Sequence, residues 1–205
     1  MVPLSTTEWN YESNYIVSHK KGELMKQSLV NEVKAKALEY YSKAHIILTE
    51  KEKSNIEVAD FGLNDIYNTG LQIVVYVNTE RCCAKEMVLF PYQTCPEHRH
   101  APIENSNYIG KEETFRCRLG TVFLYVEGVS STSPKSKVPK GSEEWYTVWH
   151  EIKLQEGEQY TLFPNTKHWF QAGDGGAVIS EFSTMSIDEM DIFTDPNIKR
   201  IPKID

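Results

Sequence analysis

The chain has 205 residues, 40% hydrophobic and 25% charged, with 22 Lys+Arg against 29 Asp+Glu for a net charge of −7. That length supplies one domain with a full core, and the acidic balance argues against a phosphate-backbone partner. The N-terminus has no charged segment leading into an apolar one, and no apolar run approaches the roughly 18 residues of a membrane span. A cytoplasmic chain without leader or membrane partner is therefore expected. The four cysteines, Cys82, Cys83, Cys95 and Cys117, include no C-x-x-C pair and read as reduced thiols.

Residues 1–21 are polar and aromatic without periodicity, and are expected to form an arm lying over the domain or a partner subunit. From 22 to 44 the pattern turns helical. Met25, Leu29, Val33 and Ala37 recur every four residues, Val30, Leu38 and Tyr41 widen the stripe, and Lys26, Lys34, Lys36 and Lys43 mark the opposite face. Short segments rich in β-branched and aromatic residues follow: IEVADFG, LQIVVYVN, EMVLFPYQ, TVFLYVEG, WHEIKL, QYTLFP and AVISEFS. They predict a mostly β fold, a barrel or sandwich with the helix packed outside, in one domain over residues 1–205. The Ser-, Pro- and Lys-rich stretch 130–144 reads as a long hairpin tip.

The segment from Cys95, CPEHRHAPIENSNYIGKEETFRCRLG, carries the chemistry. His98 and His100 are two apart, so on a strand both imidazoles enter one interior. Glu113 follows, in E-x6-G spacing to Gly120, and His168 sits in FPNTKHWF after a Pro-containing turn. Three imidazoles and a carboxylate suit a borderline divalent ion such as Mn²⁺, Fe²⁺, Co²⁺ or Ni²⁺, and four protein ligands leave two open octahedral positions. Glu104 and Glu112 compete with Glu113 for the carboxylate role.

The H-x-H…E-x6-G arrangement with its P-x3-H turn resembles the two motifs of the cupin superfamily, which implies a jelly-roll barrel whose neighbouring strands supply the ligands. Tyr92 stands where that family usually has Gly, twelve residues rather than three or four separate His100 from Glu113, and Asn165 and Ala172 replace the usual Gly and Asn. Asn165 still tolerates the left-handed region. KEETFRCRLGTVFLYVEG, the DFGL near residue 60 and SEFSTMSIDEMDIFTDPNIKRIP resemble one cupin subgroup, the D-lyxose isomerases, over roughly residues 22–203. The resemblance implies a homodimeric aldose–ketose isomerase acting on D-lyxose and D-xylulose, and in many members on D-mannose and D-fructose. It also implies one divalent metal per chain, usually manganese.

Such an isomerisation needs a metal to stabilise enediolate charge and a base for the carbon-bound proton, here by a metal-bound cis-enediol route. Three residues are candidates for proton transfer. Lys111 precedes Glu113 by two, and the resemblance places a lysine there in the active site. Glu181 interrupts an apolar strand, where a charge is costly unless paired or functional. Asp195, in the IFTDP turn, matches an acidic position of the family, although Asp before Pro is also ordinary turn chemistry. Arg200 is expected to pair with a surface acid. His19, His45 and His150 lie outside the motifs, and of Trp169 and Phe170 alternation sends one to the site and one to the core. The competing readings are a cupin dioxygenase and a non-catalytic sugar-binding cupin.

Overall fold

The computed structural model describes residues 24–201 and 203–205. The expected arm at 1–21, the start of the expected helix and His19 lie outside them. Helix α1 runs Gln27–Lys43, shorter than the pattern suggested. Residues before it are extended because Met25 bridges to Ile204, with its N–H donating to the Lys203 carbonyl at 2.9 Å. The first helical N–H, that of Gln27, donates to the Asp205 carboxylate at 2.9 Å, so Asp205 serves where the helix has no side-chain cap of its own. At the other end His45 takes φ 56°, and the N–H groups of His45 and Ile46 return to the carbonyls of Ser42 and Tyr41, closing the helix in a Schellman turn without glycine. A short helix α2, Glu50–Ser54, starts with a capping box of Thr49 and Glu52.

Among the described residues nine strands follow: β1 Glu57–Ala59, β2 Leu71–Asn78, β3 Cys83–Leu89, β4 Thr94–Arg99, β5 Glu113–Val126, β6 His150–Gln155, β7 Gln159–Leu162, β8 His168–Ser183 and β9 Ile192–Phe193. Their order is β1-β2-β3-β8-β4-β9, with every ladder antiparallel. β5 pairs along β8 and on its other side holds first β7 and then β6. The result is the expected mostly β fold, a sheet curled into a half-barrel with α1 outside.

The central strands are buried on both faces, which is why their sequences read as apolar runs rather than alternations. Leu71, Ile73, Met87, Leu89, Phe115, Leu124, Phe170 and Ile179 fill the barrel. Val74, Val88, Phe90 and Val178 point the other way and meet Val30, Val33, Ala37 and Tyr41 of α1. The Tyr41 hydroxyl donates to the Glu86 carbonyl at 2.9 Å and pins the helix to the sheet.

β5 and β8 each change phase midway. Odd residues face the barrel in the first part of β5 (Phe115, Cys117) and even ones later (Val122, Leu124, Val126). β8 runs the opposite way, from Phe170 and Ala172 to Ala177 and Ile179. The reversals fall at the register shifts of the β5–β8 ladder, at Cys117/Leu119 and Gly120/Val122. Gly120 and Gly176 meet there at φ 79° and 76°. A Cβ on Gly120 would stand 2.2 Å from the Gly176 carbonyl oxygen, so only glycine fits. This is the physical content of the E-x6-G spacing.

The stretch 130–144 belongs to a β5–β6 hairpin connection, but it is a cover rather than a free tip. The Ser136 N–H donates to the Tyr125 hydroxyl at 2.9 Å, and Tyr146 packs edge-on against Trp169 at 4.9 Å.

Candidate active site

β4 and β8 pair so that His98 and His168 are direct Cα partners. His100 follows β4 on the same side, and Glu113 opens β5 opposite Ser183 of β8. The ligand atoms of His98, His100 and His168 all lie within 4.8 Å of one another, in a group that could hold a metal ion. Glu113 Oε1 stands 3.2 Å from His100 Nε2 and 3.1 Å from His168 Nε2. Ligand atoms at about 2.1–2.2 Å from a common ion are separated by roughly 3 Å when adjacent. Glu113 is therefore the carboxylate brought to the histidines, while Glu112 and Glu104 are exposed. The loop between His100 and Glu113 returns through Gly110, at φ 99°, where a Cβ would meet the His100 carbonyl at 2.4 Å.

The rings are oriented from behind. His98 Nδ1 faces the Pro96 carbonyl at 2.8 Å, His168 Nδ1 the Thr166 carbonyl at 3.0 Å, and His100 Nδ1 the Asp191 carboxylate. Each Nδ1 is thus a donor, and each Nε2 turns its lone pair inward. His100 Nε2, His168 Nε2 and Glu113 Oε1 are buried without a hydrogen-bond partner. Buried acceptors converging on one point fit a cation at their centre, and His₃Glu fits a divalent metal.

Burial pushes His98 well below the usual histidine range, with His168 and His100 adding to the effect. Burial and Lys111 act to lower His100, but Glu113 and Asp191 outweigh them and bring it to about 8. A metal at the centre competes with that second proton. Burial would raise Glu113, yet Lys111 and His100 hold it well below the carboxylate range.

Lys111 and Glu181 join this site. Lys111 Nζ lies 2.7 Å from Glu113 Oε2 and 3.0 Å from Glu181 Oε1, and both of these acids and the lysine are buried. Glu181 points inward because it follows the phase change of β8, between Lys85 of β3 and Phe115 of β5. Burial alone would lower Lys111, but Glu113 and Glu181 keep it well above the ordinary lysine value.

The structure does not bring Asp195 to the histidines. Its carboxylate accepts from the Asn197 backbone and side chain, both at 2.8 Å, and it lines a different cleft with Pro96, Trp145 and Tyr146. Its own turn consumes it. The acid that enters the site is Asp191, four residues earlier. Arg200 pairs with Asp188 at 2.7 Å and with Glu57, as a residue lining the cavity rather than a surface group. Lys85, held by Asp188 at 2.9 Å, also lines it and was not foreseen. A lysine inside the run CCAKEMVLF was the available signal. Phe170 lines the cavity and Trp169 packs outside against Tyr125 at 4.0 Å, dividing the pair between site and core. His45 and His150 are exposed.

Residues 49–205 match the D-lyxose isomerase family. The chain belongs to that family. The D-lyxose/D-mannose isomerase of Thermosediminibacter oceani is 63% identical over 89% of this chain and 99% of its own length. The D-lyxose ketol-isomerase of Cohnella laeviribosi is 56% identical over 85% and 94%. Among solved structures, L-ribose isomerase of Acinetobacter sp. DL28 in complex with L-ribose superimposes with a TM-score of 0.75 at 16% identity, covering 91% of this chain and all (100%) of that one. The ligand-free L-ribose isomerase of Cellulomonas parahominis gives 0.73 at 15% identity, over 91% and 100%. Those two share the fold. As a family member the chain is an aldose–ketose isomerase.

Proposed function

We propose that the protein interconverts D-lyxose and D-xylulose, and D-mannose and D-fructose, through a cis-enediol, with one divalent ion, manganese, held by His98, His100, Glu113 and His168. The observation that carries the mechanism is Lys111 Nζ bridging Glu113 and Glu181 at 2.7 and 3.0 Å. It ties a proton-exchanging carboxylate to the ligand carboxylate. When bound, the metal polarises the two substrate oxygens and offsets the negative charge that develops on them.

Glu181 is the group suited to the carbon-bound proton. Lys111, with its raised pKa, stays charged and is a proton donor rather than a free base. Glu181 takes the proton from C2 as the C1=C2 bond forms, and the carbonyl oxygen receives a proton from Lys111. The C2 hydroxyl then returns a proton to Lys111 as C2=O forms, and Glu181 delivers its proton to C1. Lys85, Asp188 and Arg200 face the same cavity and offer partners to sugar hydroxyls. The high identity to relatives named for D-lyxose and D-mannose supports the substrate class. The exposed Ile109, Phe163 and Phe182 offer apolar surface for the homodimer, which light scattering tests.

Metal-stripped protein restored with single divalent ions should isomerise D-lyxose and D-mannose, with Mn²⁺ most effective. Reaction in deuterated water should leave deuterium on C1 of the ketose. Product free of deuterium in a single turnover would point instead to a direct hydride shift.

A further inference from the structure

Glu97 lies beside the first metal-ligating histidine, and alternation along β4 sends its side chain outward while His98 points in. Outside is not water here. The β5–β6 connection folds over it, and Glu97 is 1% exposed. Its carboxylate is saturated by groups from three separate segments. Oε1 accepts from the Thr147 hydroxyl at 2.8 Å and the Thr194 hydroxyl at 2.6 Å. Oε2 accepts from the backbone N–H groups of Thr147 and Val148, the latter at 3.0 Å. Lys167, which precedes His168, holds its ammonium 3.8 Å away.

The Thr194 bond matters most for the chemistry. Its backbone N–H also donates to the Glu97 carbonyl, at 3.0 Å. Just before Thr194, Phe193 stacks on the His98 ring at 5.2 Å, and Asp191 holds His100. The segment from Asp188 to Arg200 therefore covers the site. It is attached by the β9–β4 ladder, by Phe193 and Ile198 packed against the core and by these polar bonds, while Met190 and Ile192 are half exposed, at 50% and 46%. Asp188, Asp191, Phe193 and Arg200 of this segment line the same cavity as His98 and His100, so its placement shapes the space a sugar would enter.

We propose that Glu97 is a positioning residue for the isomerisation: from behind β4 it latches Thr194 and so holds the Asp188–Arg200 segment closed over the metal site. The proposal rests on the assigned isomerase reading only for its kinetic half. Burial makes the carboxylate a firm anchor, because its loss would strand two N–H groups and two hydroxyls. The Thr194 hydroxyl is the side-chain link between that anchor and the cover.

The test compares Thr194→Val with Thr147→Val, since both hydroxyls donate to the same oxygen, Glu97 Oε1, but only Thr194 belongs to the cover. Both proteins are used as manganese-loaded full chains, at a temperature where circular dichroism shows each folded. In Thr194→Val, kcat/KM for D-lyxose should fall about tenfold, the worth of one hydrogen bond to a charged group, and amide hydrogen exchange in 188–200 should quicken by a similar factor. Thr147→Val should leave both near wild type. Equal effects in the two variants, effects in neither, or effects in Thr147→Val alone would overturn the latch. If the wild type turns over no aldose, the functional reading fails, and the exchange comparison still decides the latch.

Discussion

Glu181→Gln is expected to lower turnover by about 10²–10⁴ while metal content stays at the wild-type level. Glutamine keeps the length of the side chain and can still face Lys111, which lies 3.0 Å from Glu181 Oε1. It cannot accept and return a proton. Metal content is the necessary second reading, because Lys111 also touches Glu113 and a collapsed pair would disturb the ligand set. Solvent deuterium exchange at the sugar carbon should fall with turnover. Asp195→Asn is the informative companion: its carboxylate serves the Asn197 turn, so turnover within about threefold of wild type is expected. If Glu181→Gln keeps a tenth or more of the activity, the base is elsewhere.

His168→Ala is expected to empty the metal site and to cost about 10³ or more in rate, the equivalent of several kcal/mol of charge stabilisation. His98→Ala and His100→Ala should behave alike. His168 is 1% exposed, and its Nε2 lies 3.1 Å from Glu113 Oε1. Removing it would take away a proposed ligand and leave a cavity beside Phe115. Glu113→Ala should also weaken the metal, whereas Glu112→Ala, on an exposed side chain, should not. Elemental analysis after dialysis reads all five variants. Full manganese occupancy in His168→Ala would remove that residue from the ligand set.

Much of the site was legible in sequence because the three histidines and Glu113 sit at regular spacings, His98 and His100 two apart at the end of β4, and Glu113 and His168 at fixed distance to Gly120 and Pro164. Glu181 was legible as a charge in an apolar strand. What escaped was held by contacts remote along the chain. Asp191 reaches His100 across 91 residues, and Asp188 reaches Lys85 across 103. Neither stands in a periodic segment, so no local pattern marks them. Asp195 drew attention through its proline, and that same turn chemistry explains why its carboxylate is occupied. The helix stripe was correct for Val33 and Ala37, but Met25 continued it only on paper, because pairing with Ile204 holds that stretch extended. Helix α2 escaped the apolar pattern because it buries no residue, and its mark is the capping box of Thr49 and Glu52.

The paired phase changes at Gly120 and Gly176 bear on how this family can vary in length. His168 and Glu181 share one strand at an odd separation, and an unbroken pleat would send them to opposite faces. Deleting a single residue from 173–176 would turn over everything after it, delivering Val178 and Ser180 to the cavity and moving Glu181 beneath α1. The same deletion in 118–121 would separate Glu113 from the barrel-filling half of its strand. A change of two residues restores the alternation and keeps His168 and Glu181 on one face. The loop 101–109, largely exposed, carries no such parity, and it is there that chains of different length can diverge while Gly110, Lys111 and Glu113 keep their places.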